Sequence, residues 1–198
     1  MPQLYVISGC NGAGKTTASY ALLPEMLGCS QFVNSDEFAK SLSPFSPDAV
    51  SIQASKLMLL KMNYLFKRNE DFAIETTLAT RSLKKTIVKA RAQGYGITIL
   101  YFWLNSPELA VERVRASVAA GGHNIPEETI RRRYMAGLHY FFNIYRNMAD
   151  RWILADNSQI PFRVVAEGQA GRLTVKDEQT YSKIQELADF AEKSISGE

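Results

Sequence analysis

Gly9-Cys10-Asn11-Gly12-Ala13-Gly14-Lys15-Thr16 follows the pattern G-x-x-x-x-G-K-[ST], a spacing that holds phosphate. Its glycines let backbone N–H groups converge on phosphate oxygens where a side chain would obstruct the approach. The Lys15 ammonium can reach β- and γ-phosphates, and the Thr16 hydroxyl is a natural Mg²⁺ ligand. A helix opening at Lys15 would add the positive end of its dipole. The expected nucleotide-binding set is therefore Gly9, Asn11, Gly12, Ala13, Gly14, Lys15, Thr16 and Thr17, with Thr16 as the metal ligand. By itself the loop leaves a kinase, an ATPase and a switch open.

Phosphoryl transfer also needs a group that orients or deprotonates an acceptor, and positive charge over the transferring phosphoryl. Asp36, in Asn34-Ser35-Asp36-Glu37-Phe38, is the candidate base, with Glu37 as the weaker rival and helix capping as the alternative role for Asp36. Glu75 closes an otherwise apolar run, where a carboxylate needs a ligand or a partner such as Arg81. Thr76 and Thr77 add hydroxyls that can serve a substrate or bond the local backbone, and the expected substrate-binding set is Asp36, Glu75, Thr76, Thr77 and Arg81. Arg113, Arg115 and the run Arg131-Arg132-Arg133 bracket Gly121-Gly122, as in a closing lid whose guanidinium groups clamp phosphate. Three successive helical residues fan over about 200°, so one or two of that run can face a cleft. Arg113 and Arg132 are preferred as catalytic residues beside Lys15 and Asp36. His123 and His139 lack triad or metal-ligand company, and the aromatics Tyr134, Tyr140, Phe141, Phe142 and Tyr145 read as core.

These residues are placed by alternating elements. Leu4-Tyr5-Val6-Ile7 reads as a buried strand, Gln31–Asn34 as a second, Asp71–Glu75 as a third, Ile97–Leu104 as the most hydrophobic and hence central one, and Trp152–Ala155 as a fifth. Helices are expected after Lys15, over Ala49–Lys67, Leu83–Gln93 and Pro107–Ala120, and from Pro126, whose Ile130, Tyr134, Leu138, Phe141 and Tyr145 stripe one face. A hairpin after Pro161 and a terminal helix complete the chain. The expectation is an α/β, three-layer P-loop sandwich in one domain over residues 1–198. It has a five-stranded, mainly parallel sheet, a helical lid at about 107–147, and a small C-terminal hairpin plus helix at about 161–196. In such sheets ligands bind beyond the carboxyl ends of the strands, which would gather Asp36, Glu75 and the threonines at the phosphate loop's rim.

The 198 residues suit one core, and the net charge of +3 is too slight to favour nucleic acid or an anionic membrane as the main partner. No apolar stretch reaches bilayer length, the start lacks signal-peptide shape, and Cys10 and Cys29 form no disulfide or metal framework. A reduced cytoplasm is the expected compartment.

Taken together, the phosphate loop, Asn34–Phe38, Phe72–Leu78 with Arg81, Leu104–Leu109 leading to Arg113, Gly121–Pro126 with Arg131–Tyr134, and Asp156-Asn157-Ser158 resemble the zeta-toxin-like family of P-loop kinases. The resemblance implies that Asp36 is the base on a sugar hydroxyl, Lys15 the phosphate-loop lysine and Arg113 an arginine near the transferring phosphate. It further implies ATP and Mg²⁺, a nucleotide sugar such as UDP-N-acetylglucosamine among the acceptors, and a small antitoxin as a partner. Two departures stand out. The chain is compact, and Gly121-Gly122-His123 occupies the place where a second phosphate-contacting arginine is expected, a role left to one of Arg131–Arg133. The expected activity is an ATP- and Mg²⁺-dependent kinase acting on a small-molecule hydroxyl. The alternative is a nucleotide-binding switch or slow ATPase.

Overall fold

Apolar runs long enough for strands alternate with helical patterns, and in the computed structural model, which describes residues 1–122 and 124–196, they form one seven-stranded sheet. In chain order the strands are β1 (Gln3–Gly9), β2 (Phe32–Val33), β3 (Phe72–Thr76), β4 (Gly96–Trp103), β5 (Arg151–Asp156), β6 (Arg163–Gln169) and β7 (Arg172–Val175). Their spatial order is β2-β3-β1-β4-β5-β6-β7, with the first five mutually parallel. β4 lies at the centre and is buried along nearly its whole length, as a strand covered on both faces must be. Register sets the rim. Ile7 pairs with Glu75, Ser8 with Thr76, Gly9 with Phe102, and Trp103 with Asp156, so the ends of β1, β3, β4 and β5 come level at one edge.

The hairpin expected beside the sheet is part of it. β6 runs antiparallel to β5, and β7 antiparallel to β6. This raises the strand number from five to seven and gives the outer backbone groups of β5 partners they would otherwise lack.

The helices are α1 (Lys15–Met26), α2 (Ser35–Leu42), α3 (Ser51–Arg68), α4 (Leu83–Ala92), α5 (Pro107–Ala119), α6 (Glu127–Tyr140) and α7 (Glu178–Ser196). α3 starts two residues later than its apolar pattern predicts, because Pro47–Val50 forms a 3₁₀ turn ahead of it. Ser106 caps α5 by accepting from the Leu109 N–H, with Pro107 at a position that needs no donor. α6 widens into a single π-helical turn over Phe141–Tyr145, which carries Phe141, Phe142 and Tyr145 into the core together. Phe141 stacks on Tyr101 at 4.6 Å and meets the edge of Trp152. The aromatic cluster is therefore core, as its spacing predicts, apart from half-buried Tyr140. Burying each such large side chain contributes about 1.5–3 kcal/mol.

Candidate active site

Between the end of β1 and the start of α1 the chain must turn sharply around an empty centre, and two glycines make that turn feasible. Gly12 has φ +79°, and a Cβ there would lie 2.6 Å from the Ala110 carbonyl oxygen of α5. Gly14 has φ +77° and starts α1, and its Cβ would lie 2.6 Å from Asn157 Nδ2. No side chain caps α1, and its first turn holds no acidic residue, so its leading N–H groups face the cleft without an internal anion.

Glu75, at the end of β3, organises the loop's two reactive side chains. Thr16 Oγ1 donates to Glu75 Oε2 at 2.8 Å, and Asn34 Nδ2 donates to the same oxygen at 2.9 Å. Lys15 Nζ lies 3.7 Å from Glu75 Oε1 and donates to the Cys10 carbonyl at 2.9 Å. The Lys15 and Glu75 side chains are only 7% and 11% exposed. Burial pushes the Glu75 carboxyl above its ordinary range, Lys15 and Thr16 pull it back, and Asp36 and Glu37 push it up again. Burial also drives the Cys10 thiol up to about 11, so this cysteine is no nucleophile at neutral pH.

Asp36 sits in the first turn of α2. The capping role open to it in the sequence belongs to Asn34, whose Oδ1 accepts the Asp36 N–H at 2.8 Å. The Asp36 carboxylate is exposed and makes no hydrogen bond among the described residues. It lines a cleft of about 350 Å³ together with Lys15, Thr16, Glu37, Glu75 and Arg113. Asn11, Gly12, Gly14 and Thr17 line the same cleft, whereas Gly9 and Ala13 lie beneath it as framework. Val114, Ser117, Gly122 and Ile125, from α5 and the link to α6, form the opposite wall.

The arginines divide by position. Arg113 lines the cleft while its guanidinium donates to the Asn157 carbonyl at 2.8 Å and the Ser158 carbonyl at 3.0 Å. Arg115 and Arg131 share Glu127, and Arg131 also pairs with Glu108, which ties α5 to α6. Arg132, the member of the run preferred from sequence, is exposed and has no partner among the described residues. Arg133 instead donates to Asn11 Oδ1 of the phosphate loop at 3.1 Å. One helical step of about 100° separates the two, and the docking of α6 turns the later one inward.

Three further expected residues do not line the cleft. Arg81 is exposed and lies over the Tyr140 ring at 5.9 Å, so Glu75 has Lys15 rather than Arg81 as its cation. Thr76 accepts the Leu78 N–H, the local backbone bond that was its alternative role. Thr77 packs its carbonyl oxygen against Gly137 of α6, close enough that a Cβ there would come within 2.8 Å. His123 lies outside the described residues. His139 is buried and shares a hydrogen bond with Asn143, away from the cleft lining.

Two asparagines were not singled out as site residues. Asn34 joins the cap of α2 to Glu75, and Asn157 donates to the Ala13 carbonyl at 2.8 Å, holding the loop's back wall from the end of β5. A polar triplet, Asp156-Asn157-Ser158, directly after an apolar strand at the same rim was the available signal.

With this geometry in place, comparisons with known proteins place the chain. A family model described as Zeta toxin matches residues 1–160. An uncharacterized protein of Haemophilus influenzae is 27% identical over 126 residues, covering 64% of this chain and 88% of that protein. The crystal structure of the AvrRxo1-ORF1:-ORF2 complex with ATP superposes with a TM-score of 0.76 at 17% identity, over 93% of this chain and 63% of that one. This chain therefore spans less than two thirds of that protein. A structure from the PezAT chromosomal toxin-antitoxin system of Streptococcus pneumoniae gives a TM-score of 0.65 at 15% identity, over 100% of this chain and 88% of that one. At these identities the structural matches establish the fold.

Proposed function

This chain belongs to the zeta toxin family, and from that premise we propose that it is an ATP- and Mg²⁺-dependent kinase that phosphorylates a hydroxyl of a small molecule. The observation that carries the reading is the pairing, in one cleft, of a phosphate loop with a free carboxylate on a separate wall. A switch needs the first, but only a two-substrate enzyme needs the second.

On this reading the N–H groups of Gly12–Thr16 and the start of α1 hold the β- and γ-phosphates. Lys15 exchanges Glu75 and the Cys10 carbonyl for phosphate oxygens, so the charge it loses is replaced by the ligand's. Thr16 and Glu75 supply the hard oxygen donors that suit Mg²⁺, which would offset phosphate charge there when bound. The adjacency of β3 and β1, which sets Glu75 beside the phosphate loop, supports a metal-directed role for this carboxylate.

Asp36 accepts the acceptor's hydroxyl proton and aims its oxygen at the γ-phosphorus. The oxygen–phosphorus bond forms as the bond to the β-bridging oxygen breaks, and ADP leaves. Arg113 and Arg133 stand nearest the loop as sources of positive charge over the transferring group. A nucleotide sugar is the acceptor class that family membership favours, and a small antitoxin protein is the corresponding partner. The alternative, a switch with slow hydrolysis, draws on the same loop.

ATP turnover measured with and without a panel of UDP-sugars and nucleosides tests the reading. Stimulation by at least one acceptor, with phosphate recovered on it, is expected. Turnover indifferent to every acceptor would favour the switch.

A further inference from the structure

The small net charge of +3 conceals an asymmetry. Helices α3 and α4 carry eight basic residues and no acidic one between them, so the remainder of the chain is net acidic. The two helices lie side by side, because Lys89 of α4 donates to Asn63 Oδ1 of α3 and sits 4.9 Å above the Phe66 ring. Arg68 and Arg91 have carboxylate partners, Glu70 and Asp150. The six lysines of this face have none among the described residues.

Large apolar side chains stand among these lysines. Ile52, Leu59, Leu60, Tyr64 and Val88 are between 52% and 70% exposed. At about 100° per residue, Ile52, Lys56, Leu59, Leu60, Asn63 and Lys67 share one exposed arc of α3, with buried Ala54 and Leu65 across the helix and buried Met62 and Phe66 along its flank. A stripe mixing aliphatic residues with unpaired lysines leaves apolar area in water and positive charge without neutralisation. Such a combination suits helices that lie in a membrane interface.

We propose that the α3–α4 face docks on an anionic phospholipid bilayer, with α3 lying flat, its aliphatic side chains entering the headgroup boundary and its lysines meeting lipid phosphates. Charge excludes a second copy, since two such faces repel. Nucleic acid would answer the lysines but gain nothing from Ile52, Leu59 and Leu60, which cannot stack on bases, while the exposed Tyr64 ring is already faced by Lys61 and Arg68. A helical peptide would need a recess, whereas these side chains project. The residues of this face are not among those that line the cleft. The small net charge alone gives no sign of this face, because the acidic residues lie elsewhere on the chain.

Sedimentation of the full chain with vesicles of mixed phosphatidylglycerol and phosphatidylcholine, against phosphatidylcholine alone, tests this. The anionic vesicles should bind at least about tenfold more tightly, with binding weakened by added salt. A Lys56→Glu, Lys85→Glu double variant and an Ile52→Ser, Leu60→Ser double variant should each lower binding about tenfold or more. Thermal unfolding and ATP turnover should stay unchanged, because all four positions are exposed and outside the cleft. Equal recovery with both vesicle types would overturn the proposal, and that comparison needs no variant. Anionic-vesicle binding that neither double variant weakens, or binding of RNA by the same lysines without vesicle binding, would also overturn it.

Discussion

Asn34 is 4% exposed and serves two elements at once: its Oδ1 caps α2 and its Nδ2 donates to Glu75. Asn34→Ala removes both functions. Loss of an N-cap costs about 0.5–2 kcal/mol, and withdrawing one donor from a buried carboxylate costs about 1–3 kcal/mol. The sum, about 1.5–5 kcal/mol, should appear as a lower urea midpoint with unchanged slope. Asn34→Ser keeps the cap and gives up the reach to Glu75, so it should recover only the first contribution. Asn34→Asp keeps the cap too, but sets a carboxylate oxygen against Glu75 where an N–H stood. That variant carries a pH signature. The Glu75 carboxyl already titrates above its ordinary 4.5 because it is buried, and a second carboxylate raises it further. A carboxyl raised in the folded state binds its proton more tightly there than in the unfolded chain. Its favourable contribution is therefore complete below pH 4.5 and is lost as pH rises through the elevated value. Asn34→Asp should approach wild-type stability near pH 4 and fall progressively behind it toward pH 8. An Asn34→Ala protein within about 0.5 kcal/mol of wild type would refute the two-function account, since surface changes fall in that range. An Asn34→Asp protein with wild-type pH dependence would refute the contact with Glu75.

Other expectations follow from the same geometry. Gly12→Ala should cost about 2–4 kcal/mol of stability in a denaturation series, from a left-handed φ and a Cβ driven against the Ala110 carbonyl, and should abolish ATP binding in calorimetry. Arg133→Ala should lower kcat for transfer by about tenfold or more while Arg132→Ala leaves it within about twofold; the reverse order would show that α6 rotates on substrate binding. Glu75→Gln should weaken the Mg²⁺ dependence of nucleotide affinity, leaving binding in the presence of EDTA close to wild type, because the amide keeps an acceptor for Thr16 but loses the charge a cation needs.

Some parts of this protein could be read directly and others could not. The phosphate loop is contiguous and its strand and helix flank it, so local chemistry suffices. Asp36 and Glu75 were legible because carboxylates at the ends of apolar strands stand out and parallel topology brings strand ends together. Asn157 was missed for the opposite reason. Its partner, the Ala13 carbonyl, is 144 residues away, so the polar triplet after β5 marks the rim but not the contact. The choice between Arg132 and Arg133 depends on the angle at which α6 docks, a tertiary quantity absent from any periodicity. The hairpin's merger into the sheet likewise depends on which open strand edge lies within reach of β6.

The central claim is that Asp36 serves an acceptor and not the nucleotide. Transfer of label from γ-labelled ATP to an acceptor that stimulates the wild-type enzyme, compared with the Asp36→Asn protein at saturating ATP, tests it most directly. Asp36→Asn should lose about 10²–10⁴ in transfer rate, while still saturating at the wild-type ATP concentration. Transfer within a few-fold of wild type would contradict it.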